Sequence, residues 1–136
     1  MEGISIEETS ELARILVVED DRASRMAMLA LLRMSGFEAL PAASVAEGMG
    51  LLAQNPNCII LDLMLPDGNG AEILAHIRSN QLPMRIVVTT GAIEWQKMLK
   101  ASPAPPDLIL QKPVDFKEIV RWLERHCRND SSSAGA

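Results

Sequence analysis

Short apolar runs alternate with longer amphipathic stretches along the chain. Ile15-Leu16-Val17-Val18, Cys58-Ile59-Ile60-Leu61, Ile86-Val87-Val88 and Leu108-Ile109-Leu110 are bounded by polar or Gly/Pro residues and predict short buried strands. The pattern gives strands Arg14–Val18, Phe37–Pro41, Cys58–Leu61, Arg85–Thr89 and Leu108–Leu110. Between and after them it gives helices Arg22–Met34, Val45–Gln54, Gly70–Arg78, Ile93–Lys100 and Phe116–Cys127. Gly36 is expected to end the first helix and Ser44 to cap the second. Pro113, read as lying just inside the last helix ahead of Asp115 and Glu118, is a further start signal. Phe116, Ile119, Val120, Leu123 and Cys127 form one apolar stripe on that helix.

Strands interleaved with helices imply right-handed crossovers and an α/β fold with a doubly covered parallel sheet. Strands 1 and 3 are continuously hydrophobic, as two covered faces require, whereas strand 2 has the mixed character of an edge. In such sheets the ligand crevice lies beyond the carboxyl ends of the strands. Glu19-Asp20-Asp21 follow strand 1, Asp62 follows strand 3, Thr89-Thr90 follow Val88, and Lys112 follows strand 5. A poorly solvated Asp62 carboxylate needs a partner or a metal. Acids, a hydroxyl and a cation at neighbouring strand ends suit magnesium-assisted phosphoryl transfer, because magnesium takes hard oxygen ligands and retains several waters.

The length of 136 residues is enough for one domain with a core. The boundaries read as an N-terminal extension over residues 1–12, one domain over 13–127 and a flexible polar tail over 128–136. A net charge of -5 argues against a nonspecific nucleic-acid footprint. Cys58 and Cys127 make neither a disulfide framework nor a zinc spacing. No stretch has the roughly 18 apolar residues that would span a bilayer. The acidic start lacks the basic region of a secretory signal, so the cytoplasm is expected.

Four segments carry a resemblance: Val18-Glu19-Asp20-Asp21, Leu61-Asp62-Leu63-Met64-Leu65-Pro66-Asp67-Gly68-Asn69-Gly70, Thr89-Thr90-Gly91 and Gln111-Lys112-Pro113. Together they resemble the receiver domain of two-component response regulators, of the single-domain chemotaxis-regulator kind, over about Arg14 to Arg125. The resemblance implies a flavodoxin-like sheet of order 2-1-3-4-5. It implies Asp62 as phosphoacceptor, Thr90 as the hydroxyl on the phosphoryl group and Lys112 as its cation. It further implies Mg2+ held by Asp20, Glu19, Asp62 and the backbone carbonyl of Met64. The partners implied are a sensor histidine kinase or histidine phosphotransfer protein and an unspecified downstream protein. Two departures stand out. Ile109 occupies the position, three before Lys112, where many relatives carry an aromatic, so the backbone or helix 4 must carry the signal. The interval from Asp62 to Thr90 is shorter than in common members, which points to a trimmed loop around Ser79–Pro83. Thr89 competes with Thr90 for the hydroxyl role; alternation and the following Gly91 favour Thr90.

Blander roles fit several residues. Asp21 reads as a helix N-cap rather than a metal ligand, and Asp67, Gly68 and Gly70 read as turn formers. His76 and His126 read as surface or partly packed residues, and Met26, Met28 and Met34 as core and rim. Trp95 and Trp122 are expected to pack, the alternative being a partner or homodimer anchor on the helix 4–strand 5–helix 5 face. The function expected is a receiver that accepts a phosphoryl group on Asp62, catalyses only its own phosphorylation and slow dephosphorylation, and signals through protein contacts. No DNA-binding or enzymatic module is expected after the fifth helix, so protein–protein output is the expectation. Two alternatives are a phosphorylation-independent scaffold and an aspartyl-phosphate phosphohydrolase. The latter wants a second Asp where Met64 stands.

Overall fold

The computed structural model describes residues 12–100 and 104–127. The expected extension up to Glu11 and the polar tail from Arg128 onward fall outside them. The main strands are β1 (Arg14–Val18), β2 (Glu38–Ala42), β3 (Cys58–Asp62), β4 (Arg85–Thr90) and β5 (Leu108–Gln111). The helices are α1 (Arg22–Met34), α2 (Val45–Leu51, extended by a 3-10 turn Leu52–Gln54), α3 (Ala71–Ser79), α4 (Trp95–Leu99) and α5 (Phe116–His126). The five strands form one parallel sheet in the order β2-β1-β3-β4-β5, which is the flavodoxin-like topology. β2 is therefore an edge, and three of its five residues reach solvent, whereas every residue of β3 is buried.

Strand alternation sorts the apolar side chains into two cores. Ile15, Val17, Cys58, Ile60 and Val87 face α1 and α5, meeting Met28, Leu29, Leu32, Ile119, Val120 and Leu123. Leu16, Val18, Ile59, Leu61, Ile86 and Val88 face the other helices, meeting Val45, Ile73, Leu74 and Ile77. Gly48 allows α2 to approach closely, since a Cβ there would lie 2.7 Å from Ile73 Cδ1.

The helix ends follow local chemistry. Asp21 caps α1 by accepting from Ser24 N at 2.8 Å, and Ser44 caps α2 by accepting from Glu47 N at 3.1 Å. Gly36, at φ 93°, closes α1 in a Schellman arrangement: Phe37 N donates to Leu32 O and Gly36 N to Arg33 O. The same arrangement closes α3, with Leu82 N on Ile77 O and Gln81 N on Arg78 O, but here the left-handed residue is Gln81, at φ 55°.

Two expectations are revised. Pro113 lies outside the last helix; α5 starts at Phe116, and its N-cap is Asp115, which accepts from Lys117 N at 3.0 Å. α4 spans only Trp95–Leu99 rather than Ile93–Lys100, because Glu94 makes no side-chain cap and none of the helix residues is fully buried. Ile93 is left 90% exposed. Cys58 and Cys127, distant in sequence, meet in the α1/α5 core as free thiols; burial first, and then the Cys127 thiol, push the Cys58 pKa up.

Polar braces tie the amino ends of the strands. Asn57 exchanges bonds with the Arg14 backbone, its Oδ1 accepting from Arg14 N at 2.7 Å and its N–H donating to Arg14 O at 2.7 Å. Asp107 Oδ2 accepts from Ile86 N at 2.7 Å and from Arg78 Nη2 at 3.2 Å. Among the described residues no helix is long and apolar enough to cross a membrane.

Candidate functional site

The carboxyl ends of β1, β3, β4 and β5 bring the expected polar residues together. Buried β3 delivers Asp62, itself only 4% exposed, to the sheet rim. The turn from β1 into α1 presents Glu19, 8% exposed, and Asp20, which is open to solvent. Carboxylate oxygens of Glu19, Asp20 and Asp62 all lie within 4.8 Å of one another. Lys112, immediately past β5, extends its ammonium between two of them, donating to Glu19 Oε1 at 2.8 Å and Asp62 Oδ2 at 2.9 Å.

One ammonium against three carboxylates leaves excess negative charge in a partly desolvated pocket. Three clustered hard oxygens, one of them open to water, meet what a divalent magnesium ion prefers. Burial works to lower the Lys112 pKa, but its hydrogen bonds and charge attraction to Glu19 and Asp62 outweigh that and hold it above the usual 10.5.

Local bonds fix the two buried carboxylates. Glu19 Oε2 accepts from Asp21 N at 3.1 Å, and Asp62 Oδ1 accepts from Met64 N at 3.1 Å. Arg25, one turn into α1, folds back to donate from Nη1 to the carbonyls of Glu19, at 2.8 Å, and Asp20, at 3.3 Å. The Ser24 N–H holds the Asp21 carboxyl below its ordinary range, which is the signature of a cap.

Beyond Asp62 the chain makes a short antiparallel ribbon, Met64–Leu65 against Gly68–Asn69, before entering α3. Gly70 lies so close to Asp62 that a Cβ there would stand 2.1 Å from its carbonyl oxygen. Asp67 does more than form a turn. Its carboxylate reaches α2 and accepts from Val45 N at 2.8 Å and Ala46 N at 3.0 Å, and these bonds lower its pKa. The Asp-Gly pair signals a turn so strongly that this second helix cap is masked in the sequence.

Both threonines are buried. Thr89 pairs in register with Asp62 and shares its sheet face, so alternation places Thr89, rather than Thr90, beside the acid. Thr89 also lines a cavity of about 210 Å3 with Glu19, Met28, Lys112 and Phe116. Thr90 stands one step nearer the loop, in register with Gln111; its Oγ1 accepts from Ala92 N at 3.0 Å and its carbonyl from Lys112 N at 2.8 Å. Ile109 is half-buried, facing the α2/α3/α4 core, and helps line a groove of about 370 Å3 with Trp95, Leu99, Pro105 and Pro106. Trp122 packs partly buried on the α1/α5 core and stacks on the His126 ring at 4.4 Å.

Comparison with known proteins accords with this geometry. Residues 15–124 match the response regulator receiver domain family. Response regulator MprA of Mycobacterium sp. (strain KMS) is 31% identical over 123 residues, covering 90% of this chain and 54% of that protein. Transcriptional regulatory protein CpxR of Escherichia coli (strain K12) is 28% identical over 130 residues, covering 88% of this chain and 56% of that protein. The chain thus spans about half the length of these curated relatives. Among solved structures, a response regulator receiver domain protein (CheY-like) from Methanospirillum hungatei JF-1 has a TM-score of 0.74 at 26% identity, covering 92% of this chain and 99% of that one. A DNA-binding response regulator of the LuxR family from Staphylococcus aureus has a TM-score of 0.75 at 26% identity, covering 88% and 100%. Acids gathered at the strand ends of a 2-1-3-4-5 sheet and a family match along most of its length make this chain a member of the response regulator receiver domain family.

Proposed function

We propose that the chain takes a phosphoryl group from a phosphohistidine onto Asp62, in a two-component or phosphorelay pathway, and passes the signal on through protein contacts. The observation that carries this reading is the Lys112 ammonium suspended between Glu19 Oε1 and Asp62 Oδ2, at 2.8 and 2.9 Å, with Asp20 alongside. In the transfer, an Asp62 carboxylate oxygen forms a bond to phosphorus while the histidine nitrogen–phosphorus bond breaks. The departing imidazole nitrogen keeps the electron pair and takes a proton from solvent.

Glu19, Asp20, Asp62 and the Met64 carbonyl would hold magnesium, which when bound supplies positive charge opposite the phosphoryl oxygens. Lys112 exchanges its Asp62 contact for one with the phosphoryl group. Thr89 shares the sheet face of Asp62, but Thr90 stands one residue nearer the loop mouth, level with a group that extends beyond the carboxylate, and its hydroxyl turns from Ala92 toward a phosphoryl oxygen. These contacts bias the domain between two states. The donor is a sensor histidine kinase or a histidine phosphotransfer protein. The α4–β5–α5 face, with its groove beside Trp95 and Ile109, is the surface that a downstream protein or a second copy meets. Met64 and Ala92 bring no side-chain polar group to orient an attacking water, so self-hydrolysis is slow.

The test is incubation with acetyl phosphate and magnesium, read by intact mass. The expected product carries one phosphoryl group and is absent in Asp62→Asn. Thr90→Ala is expected to take up label more slowly than Thr89→Ala. Label that persists in Asp62→Asn would overturn the assignment.

A further inference from the structure

Asn69 stands directly opposite Met64 in the short ribbon that follows Asp62. Its side chain makes two bonds of opposite polarity. Oδ1 accepts from Ala71 N at 2.9 Å, within the first turn of α3, and Nδ2 donates to Met98 O at 3.0 Å, within α4. A backbone N–H can only donate and a carbonyl can only accept, so these partners leave one orientation for the amide group. An aspartate could make the first bond but not the second.

The second bond joins residues 29 apart in sequence and ties the acceptor loop to α4. That helix is short and shallowly seated: Trp95, Met98 and Leu99 pack against the core only partly buried, none of its five residues is fully buried, and its start has no side-chain cap. Fixing one of its carbonyls therefore constrains much of its position. The Ile109 side chain has no polar atom with which to relay a change from the site to this face. Among the described residues, Asn69 alone makes a side-chain hydrogen bond between the ribbon and α4.

We infer that Asn69 is a positioning residue acting through Met64. It braces the ribbon that carries the Met64 carbonyl and transmits displacement of that ribbon to α4. The inference rests on the phosphoacceptor reading of Asp62, since the displacement begins when the loop engages metal and phosphoryl group.

Asn69→Asp and Asn69→Ser test it. Both keep an oxygen that accepts from Ala71 N, and neither donates to Met98 O: the carboxylate has no proton and the serine is too short. The aspartate preserves shape and the serine preserves charge, so an effect common to both belongs to the lost donor. In the ligand-free protein, amide exchange at Lys97, Met98 and Lys100 is expected to quicken by about three- to tenfold in both variants. With magnesium and beryllofluoride, a phosphoryl mimic, the variants still bind at Asp62 but the wild-type change in α4 exchange disappears, and magnesium affinity falls about threefold in Asn69→Ser. A merely structural residue would leave that ligand response intact. Wild-type exchange rates in the ligand-free variants, or a full-sized α4 response to beryllofluoride, would overturn the inference. A wild-type protein that fails to bind beryllofluoride sinks the phosphoacceptor reading instead, and the ligand-free rates still decide whether Asn69 anchors α4.

Discussion

Replacing Lys112 with methionine keeps an unbranched apolar stem and deletes only the ammonium. The change leaves Glu19, 8% exposed, and Asp62, 4% exposed, facing each other without their shared cation. Removing one partner of a fully buried ion pair costs about 3–5 kcal/mol, whereas an exposed pair is worth about 0–1 kcal/mol. The Lys112 side chain is 34% exposed and its partners 10% and 5%, so the case lies between these limits, at about 2 kcal/mol. For a domain of this size that is on the order of 8 °C in Tm. Urea unfolding of Lys112→Met at pH 7 without magnesium measures it. A further signature identifies the cause. In the wild type the Lys112 pKa is raised, so its contribution is complete at neutral pH and is lost only as pH climbs through values above 10.5. A Lys112→Met protein as stable as wild type at pH 7 would refute the electrostatic account of the site.

Gly70→Ala places a Cβ 2.1 Å from the Asp62 carbonyl oxygen, a backbone atom that no rotamer change can move aside. It is expected to cost about 3 kcal/mol and to slow acetyl phosphate labelling, and wild-type urea unfolding and labelling would contradict this. Gln81→Gly relieves a side chain held at φ 55° in the α3 terminus and is expected to gain about 1 kcal/mol in the same unfolding assay. No gain would mean that Gln81 makes compensating contacts.

The fold was legible because each main strand except β2 carries an uninterrupted apolar run, and a doubly covered parallel sheet requires such runs. Gly36, Ser44 and Asp21 marked helix ends because capping is local chemistry, confined to a few residues of chain. The gathering of Glu19, Asp20, Asp62 and Lys112 followed from strand order, since a polar residue placed just past each strand must arrive at one rim. What could not be read depended on contacts between distant segments. Asp67 looks like any turn residue until α2 is seen beneath it, and Asn69 gives no sign of reaching Met98. Cys58 and Cys127 share a core because α5 packs back across β3, a pairing that spacing does not encode. For Thr89 and Thr90, period-two alternation needed a starting register, and only the pairing of Asp62 with Thr89 supplies it. α4 was overextended because a helical pattern without a cap or a buried face still scores as periodic.

The braces at Asn57 and Asp107 grip the strand starts, a full strand length from Asp62 and Lys112. Division of labour along the strand axis follows. Substitutions near the braces retune how firmly the domain holds together while sparing its reactive rim, and those at the rim alter reactivity while the scaffold underneath stays anchored. The two properties are separately adjustable, so a weakened variant of this domain is best rescued from the end opposite its chemistry.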